Sequence, residues 1–168
     1  MTIEELIKFV EGRRVHLSAV NRLELKFPHH PESFRKRSRI TGKPFGLWWS
    51  CGGEWLEWCI SEMPEWVHPF VYEVTPPNKL LKITTLGEYL AFNERYVPQG
   101  YMLGWYRMPD WEGAVRYDYD GIEIAPYRHE RRLEDTWYYG WDCASGCAWG
   151  DASVKLIATR EGDDWRVI

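Results

Sequence analysis

Hydrophobic and polar positions alternate or recur at helical spacing through most of this chain. Thr2 and Glu5 form a capping-box pattern ahead of Ile3, Leu6, Ile7 and Val10, and Gly12 follows as a stop. This predicts an N-terminal helix. Arg13–Val20 alternates, with Val15, Leu17 and Ala19 on one face and His16 and Ser18 on the other, as in a half-buried strand. Asn21–Lys26 is expected to open a short helix, and 27–41 reads as irregular. Phe45–Ser50 predicts a second strand. Gly52-Gly53 then opens a short helix with Trp55, Trp58 and Cys59 on one side.

Phe70–Thr75 and Leu80–Thr84 read as strands. Thr85 with Glu88 repeats the capping box for a helix to about Tyr96. Pro109-Asp110 should begin another helix, with Trp111, Ala114 and Val115 as its buried stripe and Gly121 at its end. Strands are expected at Ile122–Ala125, Trp137–Trp141 and Ser153–Thr159, the last paired with Asp164–Ile168 across Gly162-Asp163. Strands interrupt helices without a βαβ rhythm. The pattern predicts an α+β fold with a small split, mixed or antiparallel sheet and a few flanking helices, in one domain over residues 1–168.

Composition adds one unusual item. The 168 residues include 11 Trp, 10 Tyr and 6 Phe, enough bulk to build a core or to line a groove for a sugar, a base or a nicotinamide ring. A net charge of −4 argues against bulk capture of nucleic acid. Basic residues cluster locally, however, at Arg35, Lys36, Arg37, Arg39 and Lys43, and again at Arg128, Arg131 and Arg132. Either cluster is a solvated surface or a phosphate contact. The opening residues are acidic and amphipathic, unlike a signal peptide, and no run reaches membrane-spanning length. With four cysteines spaced unlike C-x-x-C, a cytoplasmic protein with reduced thiols and no membrane association is expected.

Phosphate-loop, dinucleotide-fingerprint, zinc-protease, nucleophile-elbow and deaminase patterns do not occur, so no metal cofactor is expected. The chemistry-bearing candidates are polar points on three separate strands. His16 stands on a polar strand face beside Ser18. Ser50 ends the Trp48-Trp49 strand, and Glu123 lies between two isoleucines that share the opposite face. In a common cleft, a carboxylate at Glu123 would stabilise developing positive charge. Cys143 and Cys147 read as buried spacers, and Asp118 and Asp120 as turn residues.

His16-Leu17-Ser18 with Asn21, Gly46-Leu47-Trp48-Trp49-Ser50, and a late strand bearing Glu123 resemble the ADP-ribosyltransferase superfamily. The similar branch carries a histidine, an aromatic residue and a glutamate on successive strands, as in poly-ADP-ribose polymerases and DNA-ADP-ribosylating toxins. The resemblance spans roughly residues 13–127. Trp-Trp-Ser stands where the family has a tyrosine or a Ser-Thr-Ser set. The resemblance implies NAD as substrate and transfer of ADP-ribose to a macromolecular acceptor, a protein or a nucleic acid. It implies that Glu123 faces the charge on the sugar and that His16 bonds the adenosine-side ribose. The backbone at Leu17 would hold the nicotinamide amide, Trp48 or Trp49 would stack on the ring, and Ser50 would orient Glu123. Arg35, Arg37, Arg39 and Lys43 would approach the pyrophosphate or a nucleic-acid acceptor. Two readings without chemistry stand beside it: a tryptophan-rich binding module, and a phage or mobile-element protein that grips a host protein.

Overall fold

The computed structural model describes residues 1–27, 42–97, 102–103 and 106–168. Its centre is an eight-stranded mixed sheet in the order β10-β9-β3-β1-β2-β8-β7-β4. The strands are β1 (Arg14–Ser18), β2 (Leu47–Cys51), β3 (Phe70–Thr75), β4 (Leu80–Ile83), β7 (Gly121–Ile124), β8 (Ser145–Ala148), β9 (Ser153–Glu161) and β10 (Asp164–Val167). A separate two-stranded ribbon joins β5 (Met102–Leu103) to β6 (Tyr106–Arg107). The helices are α1 (Ile3–Phe9), α2 (Glu54–Glu62), α3 (Leu86–Tyr96) and α4 (Ala114–Asp118). The fold is α+β, as the strand-rich pattern predicts.

The sheet is split. β1 pairs with β2 at only two positions, Arg14↔Cys51 and Val15↔Ser50, whereas β1 holds β3 over four and β2 holds β8 over four. Beyond Val15 and Ser50 the two central strands part, leaving a fork between the halves β10-β9-β3-β1 and β2-β8-β7-β4. Each half carries its own cluster of buried side chains. Leu6 and Val10 of α1 and Leu56 of α2 pack on Val15, Leu17, Val71 and Ala158. Tyr89, Phe92 and Tyr96 of α3, with Trp111, Trp137 and Trp141, pack on Ile83, Ile122 and Ile124. On the opposite face Leu47, Trp49, Val74 and Ala148 lie under Leu23, Leu25 and Phe27.

Both capping boxes form as the sequence requires, Thr2 with Glu5 and Thr85 with Glu88. The hairpin β9–β10 also forms, with Gly162 at φ +64° in its turn. Four expectations need correction. Residues 21–22 form a bend and 23–27 run on without regular structure, rather than as a helix. Asp118 ends α4 and Gly121 starts β7 instead of closing the helix.

Residues 136–138 form a 3₁₀ turn where a strand was expected, because Trp137, Tyr138 and Trp141 all serve one cluster and an alternating strand would split them between faces. On α2 the buried stripe is Leu56 and Cys59, while Trp55 and Trp58 stack on each other, half-buried, with ring centroids 4.7 Å apart. Within the eight-stranded sheet, the strand that the pattern missed is β8, Ser-Gly-Cys-Ala, whose side chains are small because its neighbours' large ones cover it; the short ribbon β5–β6 was not expected either. The Trp49 ring lies over Gly146, where a Cβ would come within 2.3 Å of its Cζ2.

Candidate functional site

The fork opens onto a cavity of about 410 Å³. Val15, His16 and Leu17 come to it from β1, Trp48, Trp49 and Ser50 from β2, and Ser145 from β8. Trp141, Asp142 and Cys143 approach from the segment before β8, and Trp55, Trp66 and His68 from α2 and the turn after it. Lys43 and Gly140 complete the lining. Aromatic walls with a few convergent polar groups give this cavity the dimensions and lining that a small planar ligand needs.

The local sequence explains the shape. Gly46 lets the chain enter β2 in contact with β8, since a Cβ there would sit 2.0 Å from the Ala148 oxygen. His16 stands where the ladder stops, and its Nδ1 lies 2.7 Å from the Trp48 carbonyl oxygen. A ring nitrogen thus takes the place of a ladder N–H. Donation from Nδ1 makes Nε2 the acceptor in the neutral ring. Burial pushes the His16 pKa down despite the Trp48 bond, so the ring favours its neutral form.

Trp48 carries Lys43 Nζ over its ring at 5.2 Å and meets Trp141 edge-on at 4.8 Å. Burial lowers the Lys43 pKa, opposed by the charge of Asp142. Asp142 is pushed up by the same desolvation, with Lys43 and Arg132 acting against it. Arg132 Nη2 donates to Asp142 Oδ1 at 3.2 Å.

Glu123 is elsewhere. It is buried on the face that also carries Trp49 and Arg14, and it lines a second cavity, of about 790 Å³, with Arg14, Cys51, Gly52 and Glu54. Arg14 grips it bidentately, Nε to Oε2 at 2.5 Å and Nη2 to Oε1 at 2.8 Å, and Trp49 Nε1 donates to Oε2 at 2.9 Å. Burial alone would raise the Glu123 pKa. The bonds from Arg14 and Trp49 and the guanidinium charge outweigh it and hold the carboxyl below its ordinary range.

The expectation of one cleft gathering His16, Ser50 and Glu123 is therefore corrected. His16, Leu17, Trp48, Trp49 and Ser50 share the fork cavity, and Glu123 stands outside it. Ser50 does not orient Glu123. Its hydroxyl donates to the Gly52 carbonyl at 3.0 Å, and Arg14 and Trp49 hold the carboxylate instead. Ser18 is buried and accepts from the Val20 N–H at 3.1 Å, away from the lining. Lys43 lines the cavity, whereas Arg35, Arg37 and Arg39 lie outside the described residues.

Sequence reasoning missed Arg14, His68, Trp141 and Asp142. Arg14 alternates with His16 on β1, so strand periodicity placed it on the polar face. Asp142 follows an aromatic run whose backbone was misread. The cysteines are free, and burial raises the thiols of Cys51 to about 12 and Cys59 to about 11, far from nucleophilic values. No helix among the described residues is long and apolar enough to cross a membrane. No family model, no curated protein and no solved structure matches the chain.

Proposed function

We propose that the chain binds NAD in the fork cavity and transfers its ADP-ribose to a macromolecular acceptor, a protein or a nucleic acid. The observation that carries this reading is the fork itself, which brings His16, Leu17, Trp48, Trp49 and Ser50 from two parted strands onto one cavity of ligand size. The oxidised nicotinamide ring is a cation and favours indole faces, which Trp48, Trp55 and Trp66 supply. His16 Nε2 is an acceptor for a ribose hydroxyl, and Lys43 in the lining is a cation for a pyrophosphate. The four free cysteines suit a reducing, cytoplasmic setting, which belongs to the same proposal.

Calorimetry with NAD, followed by chromatography for released nicotinamide, tests the reading. Saturable NAD binding is expected, and Trp48→Ala should weaken it about tenfold, the loss of one stacking contact. A chain that neither binds nor cleaves NAD would refute it. A second reading, binding without chemistry, is favoured by the Trp55–Trp58 stack and by Trp66, which is 44% exposed and lies 6.0 Å from Trp55. Tryptophan fluorescence that responds to oligosaccharides or oligonucleotides but not to NAD would select it.

A further inference from the structure

Breaking the nicotinamide–ribose bond leaves positive charge on the sugar, and a carboxylate facing that charge lowers the barrier. Such a carboxylate needs an uncommitted oxygen on the ligand's side. Glu123 does not offer one, because Arg14 holds both oxygens and Trp49 adds a third hydrogen bond. Among the described residues that line the fork cavity, the acid is Asp142. Arg132 engages its Oδ1, and Oδ2 has no hydrogen bond among the described residues.

A second observation lies next to it. Trp141 is 1% exposed and lines the same cavity, yet its indole N–H has no acceptor among the described residues. A buried donor left unpaired is destabilising and calls for a partner. Among the described residues, an acid with one oxygen that takes no hydrogen bond and an adjacent donor without an acceptor thus line the same aromatic-walled cavity.

We infer that Asp142 is the carboxylate that meets the ribose of the bound dinucleotide, with the Trp141 N–H donating to an oxygen of the same ligand. This rests on the reading of the fork as an NAD site. In the step, the bond between the nicotinamide nitrogen and ribose C1′ breaks, and both electrons leave on nicotinamide. Asp142 faces the cationic sugar until a nucleophilic atom of the acceptor bonds C1′ and releases its proton to water. Asp142 acts electrostatically and forms no bond.

The experiment measures NAD affinity, nicotinamide release and Tm for wild type, Asp142→Asn, Asp142→Glu, Glu123→Gln and Trp141→Phe. Asp142→Asn should slow nicotinamide release by about 100-fold or more with little change in NAD affinity. Asp142→Glu, which keeps the charge and the partner Arg132, should retain part of the rate. Its rate and Kd decide the matter if Asp142→Asn melts below the assay temperature. Trp141→Phe, which removes the donor together with part of the buried ring, should weaken NAD binding about tenfold, with Tm reporting the packing loss separately. Glu123→Gln should lower Tm while leaving nicotinamide release in the protein that remains folded. Release that survives Asp142→Asn and disappears in folded Glu123→Gln overturns the assignment alone. A wild-type chain that binds no NAD overturns the parent reading, and this assignment with it.

Discussion

Gly146 shows how one residue can govern two others. The Trp49 ring crosses it and thereby reaches Glu123, to which it donates at 2.9 Å. Gly146→Ala should push that ring aside and cost about 1–3 kcal/mol, as overpacking does, measured by urea unfolding. An unchanged midpoint would mean that the indole does not rest on this position. Glu123 belongs to the same assembly. Its pKa is held low in the folded chain, so its contribution is present above the unfolded carboxylate pKa and is lost as pH falls through the lower folded value. Removing the charge by Glu123→Gln would strand Arg14, half-buried, beside a neutral amide. The sequence marked Glu123 as a polar residue between core isoleucines, and that much holds, since Ile122 and Ile124 are fully buried. Its partner was not legible, because Arg14 lies 109 positions away and meets it only through sheet order.

At the scale of elements, the fork decides what the strands can do. β1 and β2 share two residue pairs, and His16 stands at the point of separation with its ring on the Trp48 carbonyl. The folded state prefers the neutral ring, and the unfolded chain binds a proton more readily. Stability should therefore rise with pH from the depressed folded pKa up to the ordinary histidine value near 6.5, and be fully present above it. Thermal melts between pH 5 and 7 should show this slope. His16→Asn, whose amide can still donate to Trp48, should reduce it. An equal slope in the variant would place the titration elsewhere.

The helix caps and the hairpin β9–β10 were readable because their signals are local: a hydroxyl three residues from a glutamate, and a glycine between alternating runs. β8 was not. A strand of Ser, Gly, Cys and Ala has no hydrophobic period, and it exists because β2 and β7 flank it.

At the scale of the whole molecule, two clusters on one face of a split sheet leave a ligand-sized cavity between them. With a net charge of −4, capture of a polyanion by field alone is disfavoured, and an aromatic, partly buried cavity favours a small planar ligand. Tryptophan emission should therefore quench with NAD and respond little to oligonucleotides of equal concentration. The reverse ranking would favour binding along the surface formed by the half-buried Trp55 and Trp58 and the exposed Trp66.

The sequence alone determined the α+β class, most strand positions, both capped helices and the polar residues on the open strand faces. These follow from periodicity and short-range hydrogen bonding, which are carried by neighbouring residues. Which polar residues share a hollow was decided only by the order of the strands and the place where their pairing stops. That order set His16 beside Trp48 and Asp142 in the fork and tied Glu123 to Arg14 outside it. Such contacts join residues far apart in the chain, and no local pattern encodes them.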